Sequence, residues 1–268
     1  MKKIFLSIFI LLLSVSAFAH EYWFEPDKFF LAPKESTAVH LFVGEALNHD
    51  EERVYQLPKT TTFQLLSLGN SLDLKNTVKD EAVPMYNFSA EKAGNYLFAL
   101  ERNWSYIKLG AKEFEEYLSE DGMEYIIAER EKRGERQKEG RERYSRFIKT
   151  LLQVGDKHDA AFKKNAGLKL EIVPLENPYS KKIGDNLKFQ ILFDGKPLKD
   201  KTVFANNKDG ADISNQKLKT DRKGKISVKL DRQGIWLVRL VVMQRCKTDC
   251  AEADWESFWG AFSFGMKE

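Results

Sequence analysis

Cysteine and histidine are scarce in these 268 residues, with two of the first and four of the second. Two thiols, Cys246 and Cys250 in a C-K-T-D-C spacing, cannot close a zinc site by themselves. They read instead as a local disulfide, the favoured fate of such a pair in an oxidising compartment. Catalytic signatures are missing too. There is no G-x-S-x-G, H-E-x-x-H, G-x-x-x-x-G-K-[ST] or G-x-G-x-x-G, so no motif announces a hydrolase elbow, a zincin or a nucleotide loop. Neither sign of charge dominates. The net charge is +3, and +1 once Lys2 and Lys3 are set aside, which gives no general attraction to nucleic acid or to membranes. Long apolar runs are confined to one place, Ile4 to Val15.

That run follows Met1-Lys2-Lys3 and precedes Ala17-Phe18-Ala19. A positive start, an apolar stretch shorter than the roughly 20 residues of a spanning helix, and a small-x-small site make a secretory signal. Residues 1–19 are expected to be removed after Ala19, and the exported, periplasmic chain to begin at His20.

Hydrophobic periodicity divides the remainder. Up to about Lys108 it is strand-like, as in Val39, Leu41 and Val43 alternating with His40 and Phe42. From Leu168 onward strands return: Leu187, Phe189, Ile191 and Phe193 alternate with polar residues, as do Ile226, Val228 and Leu230. Between them the spacing turns helical. Phe114, Tyr117 and Leu118 share a face, as do Met123, Ile126 and Ile127, and then Tyr144, Phe147, Ile148, Leu151 and Leu152. Three short helices are expected there, with the Arg/Glu/Lys tract of 129–146 as a wet face. Gly94-Asn95-Tyr96 and Gly234-Ile235-Trp236 both lead into apolar strands, as at the corners of sandwich domains. The expected fold is mainly β. It has two immunoglobulin-like or transthyretin-like β-sandwiches, 20–108 and 167–268, flanking a helical insert, 109–166.

Among the histidines, His20 stands out because of the cut. Its α-amine, with a reference pKa near 7.7–8.0, and its ring Nδ1 would form a chelate suited to Cu(II), Ni(II) or Co(II). His40, on a predicted strand, and His49, in the acidic stretch Asn48-His49-Asp50-Glu51-Glu52, are candidates to complete it. A half-satisfied strand histidine and a solvated acidic loop are the plainer readings of the two. His158 follows Gly155 and fits a cation at a helix end better than a ligand. No residue is nominated as catalytic.

The opening His20-Glu21-Tyr22-Trp23-Phe24-Glu25-Pro26 resembles that of a bacterial domain-of-unknown-function family described as the periplasmic component of cobalt/nickel uptake. Gly140-Arg141-Glu142-Arg143-Tyr144-Ser145-Arg146 with Lys149 is similar to it as well, as is Leu170 to Leu175 with Asp194-Gly195-Lys196-Pro197-Leu198. So are the stretch from Thr220-Asp221 to Trp236 and Asp254-Trp255-Glu256-Ser257. The resemblance implies an extracytoplasmic, non-enzymatic protein that handles a transition metal beside an inner-membrane metal transporter component. It also supports the two-sandwich expectation. Only His20 carries over as a ligand; His40 and His49 rest on this chain's own pattern. An adaptor binding an envelope or membrane partner without metal is the rival reading, and an oxidative copper enzyme a more distant one.

Overall fold

A computed structural model describes residues 20–267; the expected signal segment, 1–19, lies outside them. The protein is mainly β. Strands β1 (Glu21–Pro26), β2 (Phe30–Leu31), β3 (Ser36–Glu45), β4 (Asn48–Glu52), β5 (Thr60–Ser67), β6 (Asn70–Asp73), β7 (Tyr86–Ser89) and β8 (Gly94–Leu109) lead to two helices, α1 (Ala111–Glu120) and α2 (Glu124–Lys132). Then follow β9 (Gly140–Val154), β10 (Leu170–Pro174), β11 (Asn186–Phe193), β12 (Lys196–Pro197), β13 (Thr202–Asp209), β14 (Asp212–Lys219), β15 (Lys225–Lys229), β16 (Gly234–Arg245) and β17 (Trp255–Met266).

The strands form three sheets. The largest runs β14-β13-β16-β17-β9-β8-β5-β6, with β2 beside β9, and so draws strands from both halves of the chain. Its seam is a parallel pair, β17 on β9, with Trp255 opposite Glu142 and Ser263 opposite Thr150. A smaller sheet, β1-β3-β4 with β7, covers one face. There Phe24, Val39 and Leu41 meet Phe98, Leu100, Ile148 and Leu152. A second, β10-β11-β12 with β15, covers the other face. There Ile172, Phe189 and Val228 meet Phe147, Leu151, Trp236 and Phe262. The helices pack beside the first small sheet: Phe114, Tyr117, Leu118, Met123 and Ile126 meet Val241, Met243, Trp255 and Trp259.

The expected third helix is a strand. Tyr144, Phe147, Ile148, Leu151 and Leu152 lie on β9, at the centre of the large sheet. A strand covered on both faces needs apolar residues at both parities, so its alternation disappears and a helical spacing can arise by coincidence. Phe147 and Leu151 enter one core, Ile148 and Leu152 the other. The expected wet face holds over 131–139, which are mostly exposed, but not at its far end. Arg143 and Arg146 are buried, and Arg143 forms a 2.6 Å ion pair with Glu256. His158 therefore follows a strand, not a helix, and the dipole argument lapses.

The glycine–aromatic repeat opens β8 and β16 as expected. Gly234 has φ of +96°, and a Cβ there would stand 2.2 Å from the Lys208 carbonyl oxygen, so only glycine starts β16 without strain. Cys246 and Cys250 form a disulfide in the loop between β16 and β17.

Candidate functional site

The first described residues form the site. β1 pairs with β3, setting Glu21 opposite Gly44, Trp23 opposite Phe42 and Glu25 opposite His40. β3 turns into β4 through Ala46 and Leu47, both at positive φ. The β3–β4 register then slips: Val43 faces Glu51 but Gly44 faces His49, leaving Asp50 as the extra residue of a bulge. Gly44 permits this close approach, since a Cβ there would lie 1.8 Å from the Asn48 carbonyl oxygen.

The bulge separates the three candidate ligands into two clefts. His40 and His49 line one of about 420 Å³ with Glu25, Asp27, Phe42 and Glu52. His40 is held at both ring nitrogens, by Glu52 at 2.6 Å and Asp27 at 3.0 Å. Burial pulls its pKa down, but hydrogen bonding and charge from Glu52 and then Asp27 more than offset this, and the net shift is upward. Nε2 of His49 lies 2.9 Å from Glu25, which also accepts from the Trp23 indole. Phe42 stacks on His49 at 3.8 Å and lies 5.6 Å from the His40 ring. The two imidazoles thus share an aromatic neighbour, with each ring hydrogen-bonded to its own carboxylates. No group of three or more His, Cys, Asp or Glu side chains among the described residues is arranged to hold a metal ion.

His20 lies apart from them, at a second cleft of about 460 Å³ shared with Glu45, Glu120, Asp121 and Arg239. Its Nδ1 is 2.9 Å from Asp50 Oδ2, and its carbonyl accepts from Arg146 Nη1 at 2.9 Å. In the cleft Arg239 bridges Glu21 at 2.5 Å and Asp121 at 2.7 Å and lies over the Phe204 ring. Burial raises Glu21 to about 7 despite the opposing pull of Arg239, and burial raises Asp121 too. One guanidinium between two buried carboxylates only partly offsets their burial, so both are shifted toward the protonated form. Close by, Glu142 is fully buried and raised by that burial to about 7, against hydrogen bonds from Ser257 and Tyr117 that lower it.

Sequence reasoning missed Arg146, Arg239 and Asp121, which lie more than 100 residues along the chain from His20. No spacing rule reaches that far. Asp50 was visible only as one acid in a run, and the register slip that turns it toward His20 has no simple sequence mark.

A family model matches residues 17–244. The chain belongs to the family DUF4198, a domain of unknown function. No curated protein sequence matches this DUF4198 chain. Among solved structures, one match is described as three N-terminal domains of the bacteriophage RB49 highly immunogenic outer capsid protein (Hoc). It is 8% identical, and the match covers 91% of this chain and 59% of that one, at a TM-score of 0.17. At that score it carries no argument about the DUF4198 fold or its function.

Proposed function

We propose that this DUF4198 protein is a periplasmic, non-catalytic carrier of a transition-metal ion (nickel, cobalt or copper) in uptake or homeostasis, delivering to an inner-membrane transporter component. The observation that supports it is the contact between His20 and Asp50. Metal–ligand bonds of about 2.0–2.1 Å place two cis ligands roughly 2.8–3.0 Å apart. The 2.9 Å between Nδ1 and Oδ2 suits that arrangement as well as it suits a hydrogen bond. With the α-amine freed by cleavage after Ala19, His20 offers two nitrogens and Asp50 an oxygen, a donor set that fits Cu(II) or Ni(II). The ion is cargo in this reading. Glu45 and Glu120 along the same cleft, with Asp121 already paired to Arg239, add a negative field that favours a cation. His40 and His49, engaged by Glu52, Asp27 and Glu25, are left as structural residues of the neighbouring cleft. The two small sheets, one on each face of the shared sheet, are read as two immunoglobulin-like halves.

The test is titration of the protein beginning at His20 with Cu(II) and Ni(II), followed by calorimetry. One extra residue before His20 moves the amine away and is expected to abolish tight binding; Asp50→Ala is expected to weaken it about 10-fold or more. Equal binding by the extended form sinks the reading. One observation favours the adaptor alternative: Leu68 and Leu72 are exposed beside β6, the terminal strand of the large sheet. Loss of an envelope partner on Leu68→Glu/Leu72→Glu, in a protein indifferent to metal, would decide for the adaptor.

A further inference from the structure

Arg102 and Arg146 are directly opposite one another on the antiparallel strands β8 and β9. Like charges at opposed positions repel, and buried charge is costly unless compensated. Both side chains are more than nine-tenths buried, with 8% and 6% exposure. Two other buried cations meet an acid, Arg143 pairing with Glu256 and Lys149 with Glu171, while Arg130 donates to the Lys138 carbonyl. Arg102 and Arg146 have no carboxylate within ion-pair distance among the described residues. Arg102 Nη2 donates to the Gln56 amide oxygen at 2.5 Å, and Arg146 Nη1 to the His20 carbonyl at 2.9 Å. Both guanidinium groups lie over the ring of Tyr22, at 5.6 Å and 3.8 Å, and Arg146 also lies 5.0 Å from the ring of Tyr144. Their remaining N–H groups are not sealed in. The polar atoms buried without a partner lie elsewhere, on residues such as Thr62, Asn206 and Ser214. Burial depresses the pKa of Arg102, and the charges of Arg146 and Arg53 lower it further against the opposing pull of Tyr22.

We propose that Arg102 and Arg146, flanked by Tyr22 and Tyr144, form a binding site for a small oxyanion, a carboxylate or phosphate group held by two guanidinium forks. Such forks match the geometry of these groups and bind them through paired charge-assisted hydrogen bonds. The anion supplies the charge that the opposed arginines lack. The site stands on different side chains from the His20–Asp50 pair and does not require a metal.

The experiment is a thermal-shift and calorimetric titration of the metal-free protein with inorganic phosphate and, separately, malonate, at ionic strength held constant with sodium chloride. A saturable rise in melting temperature with either anion, absent with chloride, is expected. Phosphate alone identifies a tetrahedral ligand and malonate alone a carboxylate. Arg102→Gln is expected to weaken that binding about 10-fold or more. Without anion it is expected to melt no lower than the parent, because the opposed charge is gone. If Arg102→Gln does not fold, Arg102→Lys keeps the charge but loses the fork, and its affinity is expected to fall as well. No saturable response to either anion, or unchanged affinity in the variants, overturns the proposal.

Discussion

Glu142 is one buried carboxyl through which pH acts on stability. It accepts from Tyr117 at 3.1 Å and from Ser257, while its other oxygen has no partner. Its pKa is raised by burial from 4.5 to about 7, so the folded state binds the proton more tightly than the unfolded chain does. Its contribution is therefore fully present below about 4.5 and is lost as pH climbs through 7. Glu21, raised likewise to about 7, adds in the same direction. Glu142→Gln keeps an acceptor for both hydroxyls and removes the ionisation. It is expected to be near neutral at pH 5 and stabilising by on the order of 1–3 kcal/mol at pH 8. Denaturant midpoints at the two pH values check this. An equal effect at both would mean that Glu142 is not the titrating group. Lys149 and Glu171 form a different kind of buried pair, 2.9 Å apart with both side chains almost fully enclosed. Lys149→Met alone leaves an uncompensated carboxylate and is expected to cost about 3–5 kcal/mol. Lys149→Met with Glu171→Leu is expected to recover most of that, and urea unfolding of the two variants measures it.

The elements differ in how openly the sequence declares them. Leu187, Phe189 and Ile191 alternate with polar neighbours because β11 has one wet face, and that stretch was legible as a strand. Phe114, Tyr117 and Leu118 turned one side of α1 to the core and were legible as a helix. β9 was not, because both its faces are covered and its apolar pattern loses the two-residue period. The candidate site was half legible. A terminal histidine and an acidic stretch could be seen, but the bulge that presents Asp50 depends on contact between Gly44 and Asn48. Gly44→Ala tests that bulge. With no room for the added methyl, it is expected to lower stability by about 2 kcal/mol or more and, where the ion sits at Asp50, to weaken metal binding in parallel. Circular dichroism melts and the same metal titration report both effects.

At the level of the whole molecule, the parallel contact between β9 and β17 is the hydrogen-bonded join between the two halves of the large sheet. Two cores on its opposite faces share residues of β9, so neither half is expected to melt alone. Trp23 reports on the first small sheet and Trp236 on the opposite core. Tryptophan fluorescence and far-ultraviolet ellipticity are expected to give coincident transitions; a plateau between them would mean that the halves unfold independently. The same join also orders events in time. A polypeptide delivered from its amino end presents β8 and β9 early, yet the strand that must lie along the open side of β9 begins only at Trp255. Until β17 arrives that edge of β9 stays unzipped, an open strand edge that invites wrong pairing, so shielding it is expected to raise the yield of folded chain.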